Sequence, residues 1–152
     1  MKQGLDIGCG SSKTDGFVGV DHYPFPGVDV VHDISRGLPF MDNRFVSIVA
    51  KHILEHFDGM ELIGIIEELW RVSVLDAEWL VVLPGKGSPN CGKDFTHKKK
   101  DWDQFSFDMW KKENGKYIIE RGPLYGIQGQ LVLQSFVIND NMDAFYRLRV
   151  VK

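Results

Sequence analysis

Three aspartates, each closing a short run of apolar residues, and a glycine turn behind the first of them are the positions best placed to hold a ligand. Leu5-Asp6-Ile7 runs into Gly8-Cys9-Gly10, Phe17-Val18-Gly19-Val20 ends in Asp21, and Val28 to His32 ends in Asp33. Glycine is needed where backbone must approach a ligand closely or take positive φ, so Gly8 and Gly10 around the small Cys9 describe a loop that offers amides rather than side chains. A fourth apolar run, Phe45 to Ala50, delivers Lys51 and His52. His97 follows a fifth, Trp79 to Leu83, after a loop rich in glycine and lysine. An imidazole with a pKa near neutrality is the side chain best suited to take a proton from a reacting hydroxyl or amine, which makes His97 a candidate catalytic residue.

These positions require a set of strands whose carboxyl ends lie together. Each apolar run has the length and branched composition of a strand, and in an open α/β sheet ligands bind outside the carboxyl ends. Only Gly8 to Gly16 separate the first two runs, too few for a crossover helix, so that helix is expected to be missing or vestigial. Asp58-Gly59-Met60-Glu61 has the form of a capping box, and Leu62, Ile65, Ile66 and Leu69 recur at helical spacing through about Val72. The spacing of Trp102, Phe105, Met109 and Trp110 predicts a second helix over Asp101 to Glu113, and Tyr117 to Glu120 reads as a strand. Gln130 to Ile138 and Ala144 to Val151, joined through Asn139-Asp140-Asn141, read as an antiparallel hairpin. The segment Pro84 to Lys100 is a long loop, expected to be mobile without ligand and to close one side of the site when its ligands are bound.

Composition narrows the possible functions. The chain has 152 residues, 43% hydrophobic and 26% charged, which fits one globular domain over its whole length. A formal charge of -3 gives no reason to expect nucleic acid as partner, and Lys98 to Lys100 is a local exception that reads as a solvated face. Two cysteines far apart, Cys9 and Cys91, suggest no disulfide framework and fit a reducing, cytoplasmic setting. No run approaches the roughly 18 apolar residues of a membrane helix, and no leader precedes the first strand, so no membrane association is expected.

Taken in order, LDIGCG at 5 to 10, Asp21, Asp33, LPFMDNRF at 38 to 45, HILEH at 52 to 56 and ELWRV at 68 to 72 resemble the motifs of Rossmann-like (class I) S-adenosylmethionine-dependent methyltransferases. The resemblance covers about residues 4 to 97 and is similar in kind to the small type-11 members, which have a very short link between the first two strands. It implies an α/β fold with a mostly parallel seven-stranded sheet, a C-terminal antiparallel hairpin and S-adenosyl-L-methionine as cofactor. Carried over by position, Asp6, Gly8, Cys9 and Gly10 would cradle the methionine part, Asp21 the ribose, and Asp33 with Ile34 the adenine. His22 and Tyr23 would border the base, and Lys51 and His52 would lie near the sulfonium and the acceptor, which makes His52 the second candidate catalytic residue.

The sequence departs from that pattern in two places. Val46 stands where an acid is frequent, and Val74-Leu75-Asp76-Ala77 stands where the family has a glycine-rich turn. As given, the chain also begins at the first strand, so the acceptor site is expected to be open or covered by a second copy, a possible homo-oligomer. Methyl transfer to an O or N nucleophile of a small molecule is the leading reading. A nicotinamide-dependent oxidoreductase is a rival, but Lys13 occupies the place of its third glycine, and Asp21 is too close to the glycine turn. A non-catalytic cofactor-binding or scaffold protein is another. His52-Ile53-Leu54-Glu55-His56 matches the H-x-x-E-H pattern of certain zinc peptidases. It lies before the predicted helix rather than within it, so no metal is expected through His52 and His56.

Overall fold

In a computed structural model of the chain, residues 3–99, 101–111 and 121–152 are described. Seven strands form one sheet in the order β3-β2-β1-β4-β5-β7-β6. The strands are β1 (Gln3–Ile7), β2 (Phe17–Asp21), β3 (Val30–Val31), β4 (Phe45–Lys51), β5 (Ser73–Pro84), β6 (Gln130–Ile138) and β7 (Asp143–Val151). β1 to β5 pair in parallel; β7 runs antiparallel to β5 and carries β6 at the edge. This is the mostly parallel sheet with a C-terminal hairpin expected from the sequence, and no helix interrupts the β1–β2 link. No helix among the described residues is long and apolar enough to cross a membrane.

Among the described residues one long helix, α1 (Gly59–Val72), packs Ile65, Ile66, Leu69 and Val72 into the core formed by Leu5, Ile7, Ile48, Val81 and Leu83 of the central strands. It starts where the sequence places it, but the capping box does not form. Asp58 makes no side-chain cap bond, and Glu61 accepts instead from Lys98 Nζ at 2.9 Å. The polar flank of α1 holds two other segments. Arg71 forks onto Glu68 through Nε and Nη2 at 2.7 and 2.8 Å and donates to the Phe40 and Leu38 carbonyls and to Asp42. Glu68 also accepts from the Leu38 amide at 2.7 Å. One residue before Glu68, Glu67 accepts from Trp110 Nε1, Gln128 N and Gly129 N, which ties the segment before β6 to the helix.

Three expectations change. The third strand shrinks to Val30–Val31, because Asp33 caps a 3-10 turn over Ile34–Arg36 by accepting from Ser35. The fifth strand lengthens backward to Ser73, and its pairing with β4 shifts register between Phe45 and Ser47. Asp76 lies in that interval at φ 61, and Trp79 Nε1 donates to the buried Ser73 Oγ. The helix expected over Asp101 to Glu113 is absent from the described residues 101–111. Asp103 turns the chain by accepting from Phe105 N at 2.9 Å, and only Asp108–Trp110 forms a 3-10 turn. Trp102, Phe107 and Trp110 are the buried aromatics, whereas Phe105 is exposed, so the buried residues do not follow the stripe that suggested a helix. The strand expected over Tyr117 to Glu120 lies outside the described residues. A short helix, α2 (Asn90–Lys93), sits in the loop after β5.

Candidate active site

The glycine turn leaves β1 with Gly8 at φ 61 and Gly10 at φ 52. A Cβ at Gly8 would lie 2.5 Å from the Ile53 side chain, so the position is closed to other residues by space as well as by φ. The Gly10 amide donates to Asp21 Oδ2 at 2.8 Å, and the Tyr23 amide to Asp21 Oδ1 at 3.0 Å. Each Asp21 oxygen thus spends one lone pair on backbone and keeps acceptor capacity for a ligand. Asp6 Oδ2 accepts from Thr14 N at 2.7 Å, and Lys51 Nζ donates to Thr14 Oγ1 at 3.3 Å. The Cys9 sulfur fills the space beside Gly19, and burial, reinforced by the charges of Asp6 and Asp21, pushes its thiol pKa up to about 11. Asp6, Cys9, Gly10 and Lys51 therefore shape and anchor the loop; they do not line the cleft beside it.

That cleft, about 500 Å³, is lined by Gly8, Asp21, His22, Tyr23, Asp33 and Ile34 from the strand ends, and by Ile53 and Phe57 from the turn after β4. The His22 and Tyr23 rings meet edge to face at 4.8 Å. The Ser35 hydroxyl and amide hold the Asp33 carboxyl below the usual carboxylate range. One end is thus acidic and backbone-rich, while the other is apolar and aromatic. A ligand with a polyol at one end and a flat heteroaromatic ring at the other suits this division. Ile53 and Phe57 were not singled out from the sequence. The available signal was that they interleave with the HILEH histidines at a strand exit.

A second cleft, about 680 Å³, adjoins the first and shares His56 and Thr96 with it. His52, at φ 51, half exposed, lies with Nδ1 3.5 Å from Glu55 Oε1 and Nε2 3.9 Å from Asp143 Oδ2. The Glu55 carboxylate raises the His52 pKa above its ordinary value, against the opposing effect of burial. Glu55 and His56 belong to a 3-10 turn, Leu54–His56, so the H-x-x-E-H residues do not share one helix. His97 reaches the same place from the loop after β5, which the Lys98 and Lys99 amides tie to the Glu55 carbonyl. The His97 side chain is 10% exposed, stacks edge to face on His56 at 4.9 Å, and has Nε2 3.9 Å from Glu55 Oε1. The structure therefore brings both candidate catalytic histidines to one carboxylate. Asp143, contributed by the hairpin, is a member that sequence reasoning missed; nothing local distinguishes it from any other strand-initial acid.

With these clefts at the carboxyl ends of β1, β2 and β4, the architecture is that of the Rossmann-like class I methyltransferases. No protein-family profile and no curated protein matches the sequence. Solved structures do match. A 1,6-didemethyltoxoflavin-N1-methyltransferase from Burkholderia thailandensis, with bound S-adenosylhomocysteine, superposes with a TM-score of 0.63 at 13% identity over 99% of this chain and 72% of its own. An S-adenosylmethionine-dependent methyltransferase from Archaeoglobus fulgidus matches with a TM-score of 0.60 at 19% identity, over 97% and 86%. The [4+2]-cyclase SpnF matches with a TM-score of 0.64 at 13% identity, over 99% and 74%. At these identities the likeness establishes the fold.

Proposed function

We propose that this chain is a single-domain, cytoplasmic S-adenosylmethionine-dependent methyltransferase that methylates an O or N nucleophile of a small molecule. The observation that carries the reading is Asp21. It lies beside the positive-φ Gly8 turn, only 9% exposed, with acceptor capacity left over on a cleft whose other end is apolar. A carboxylate so placed can accept from both hydroxyls of a ribose. Ile34, Ile53 and Phe57 then offer the apolar surface for adenine, and Gly8 allows the close approach of the methionine part. When bound, S-adenosylmethionine supplies an electrophilic methyl group on a sulfonium that leaves as a neutral thioether.

This chain's residues hold the nucleophile and take its proton. The acceptor occupies the second cleft, across the His56–Thr96 partition from the cofactor cleft. His52, half exposed and oriented by Glu55, takes the proton that an attacking hydroxyl or amine gives up. His97 closes the far wall. Most of the acceleration comes from holding nucleophile and methyl in near-attack geometry, which a walled cleft supplies without covalent chemistry.

The test is calorimetric titration with S-adenosylhomocysteine and, separately, with NAD. We expect one site per chain for the former and a loss of roughly 1.5 to 3 kcal/mol in Asp21→Ala. The same change frees the Gly10 and Tyr23 amides, so circular dichroism must show the variant folded. Equal affinity of variant and wild type removes the ribose assignment. Preference for NAD favours an oxidoreductase. The likeness to a [4+2]-cyclase, a protein named for a different reaction, favours a second reading, in which this chain binds S-adenosylmethionine without transferring a methyl group. Binding of S-adenosylhomocysteine together with no turnover across a broad acceptor panel favours that reading.

A further inference from the structure

We infer that Glu55, His56 and His97 bind one divalent transition-metal cation at the junction of the two clefts. The inference stands apart from the methyl-transfer reading and does not require it.

One nitrogen from each imidazole and one Glu55 oxygen lie within 4.8 Å of one another. Glu55 is 0% exposed, and neither of its carboxylate oxygens receives a hydrogen bond, the nearest imidazole nitrogens, His52 Nδ1 and His97 Nε2, standing off at 3.5 and 3.9 Å. A buried carboxylate in that condition is costly unless a positive charge meets it. His97 Nδ1 is likewise buried without a partner. Two groups of the three thus carry buried, unspent polar atoms, and both border the same cleft.

The hydrogen bonds behind the third group fix its tautomer. Thr96 Oγ1 donates to Asp94 Oδ1 at 2.6 Å and lies 2.9 Å from His56 Nδ1. A hydroxyl has one proton, so Thr96 must accept from His56 Nδ1–H, and the lone pair of His56 is left on Nε2. Chains of this kind behind an imidazole fix tautomer and ring orientation at metal centres.

The donor set selects the ion class. Two imidazoles and one carboxylate suit zinc or a neighbouring divalent transition metal, whereas magnesium and calcium prefer oxygen alone. Metal–ligand distances of about 2.0 to 2.2 Å place ligand atoms roughly 3.5 Å apart around a tetrahedral ion. The three side chains must therefore close by on the order of 1 Å, within reach of rotamer adjustment. Three protein ligands leave a position for water or a ligand oxygen. The sequence led to no metal because His52 and His56 do not share a helix. The cluster uses His97 in place of His52, and the long loop delivers it.

Protein stripped with a chelator is titrated with Zn²⁺ by calorimetry and with Co²⁺ in the visible spectrum, with S-adenosylhomocysteine binding measured on the same samples. We expect one Zn²⁺ per chain, bound at micromolar concentration or below, and Co²⁺ absorption bands of a low-coordinate site. Glu55→Gln and His97→Ala should each weaken Zn²⁺ at least tenfold, since even partners behind the ligands are worth about 10- to 100-fold. Wild type that binds no Zn²⁺ at 100 µM overturns the inference. So does Zn²⁺ affinity unchanged in both variants, or Mg²⁺ held more tightly than Zn²⁺. If the variants do not fold, the wild-type Co²⁺ spectrum decides, and absence of the bands overturns it. Wild type that binds Zn²⁺ but no S-adenosylhomocysteine would overturn the methyl-transfer reading alone.

Discussion

His52 combines two features at the residue scale that rarely serve stability together. Its backbone is in the left-handed region at φ 51, a conformation that costs a residue with a Cβ on the order of 1 kcal/mol or more. Its imidazole faces a buried carboxylate across 3.5 Å. These features separate structure from chemistry in a single substitution. His52→Gly relieves the backbone and deletes the ring, so its thermal stability should be unchanged or higher by up to ~1 kcal/mol. Turnover of an acceptor, once one is found, should fall by roughly 10²- to 10⁴-fold while S-adenosylhomocysteine affinity stays put. A fall in stability with turnover retained would make His52 a structural residue. The strand-end positions of the site were legible because a residue that closes a strand cannot move far from it: Gly8, Asp21 and His52 needed only the strands to be found. The meeting of His97 with Glu55 was not legible, since it depends on how a long loop returns.

At the scale of elements, α1 explains two stretches that looked like separate motifs. Glu68 and Arg71 of the stretch ELWRV clasp Leu38, Phe40 and Asp42 of the stretch LPFMDN through bonds of 2.7 to 3.0 Å. The Arg71 guanidinium holds the Glu68 carboxyl below its ordinary range, outweighing burial. In the folded state Glu68 therefore stays charged at pH values where the unfolded chain binds a proton. Its stabilisation is complete above the unfolded value of 4.5 and is lost as pH falls through the lower, folded value. Glu68→Gln should cost about 1.5 to 3 kcal/mol at pH 7, measured by urea unfolding, and the difference from wild type should shrink below pH 4. A difference that is constant from pH 7 to pH 3 would show that the charge of Glu68 is immaterial. The helix expected over residues 101 to 113 failed for a related reason. Periodicity saw four apolar side chains at helical spacing, but Asp103 and Ser106 offered the backbone nearer partners.

For the molecule as a whole, the glycine turn issues from β1, a strand flanked by β2 and β4 in the interior of the sheet. The mostly parallel sheet with its C-terminal hairpin followed from the resemblance of the motifs, whereas the order of the strands within it is a finding of the structure. The docking of residues 101–111 was not legible, since beyond the local turn at Asp103 it depends on Glu67 of α1 and Tyr146 of the hairpin. Cys9 sits at that turn with its thiol protonated at neutral pH and its sulfur sealed beside Gly19. An alkylating reagent reaches it only when the turn opens or the sheet comes apart. The rate of Cys9 modification, followed by peptide mass spectrometry, is therefore a clock for the first of these events to occur. With reagent in excess and reclosure fast, it reads the free energy of opening. If the turn opens by itself, that free energy lies below the global value from urea unfolding, and S-adenosylhomocysteine should slow the clock. If the two free energies coincide, the turn is as durable as the sheet, and the loop enters the binding reaction already in its final shape.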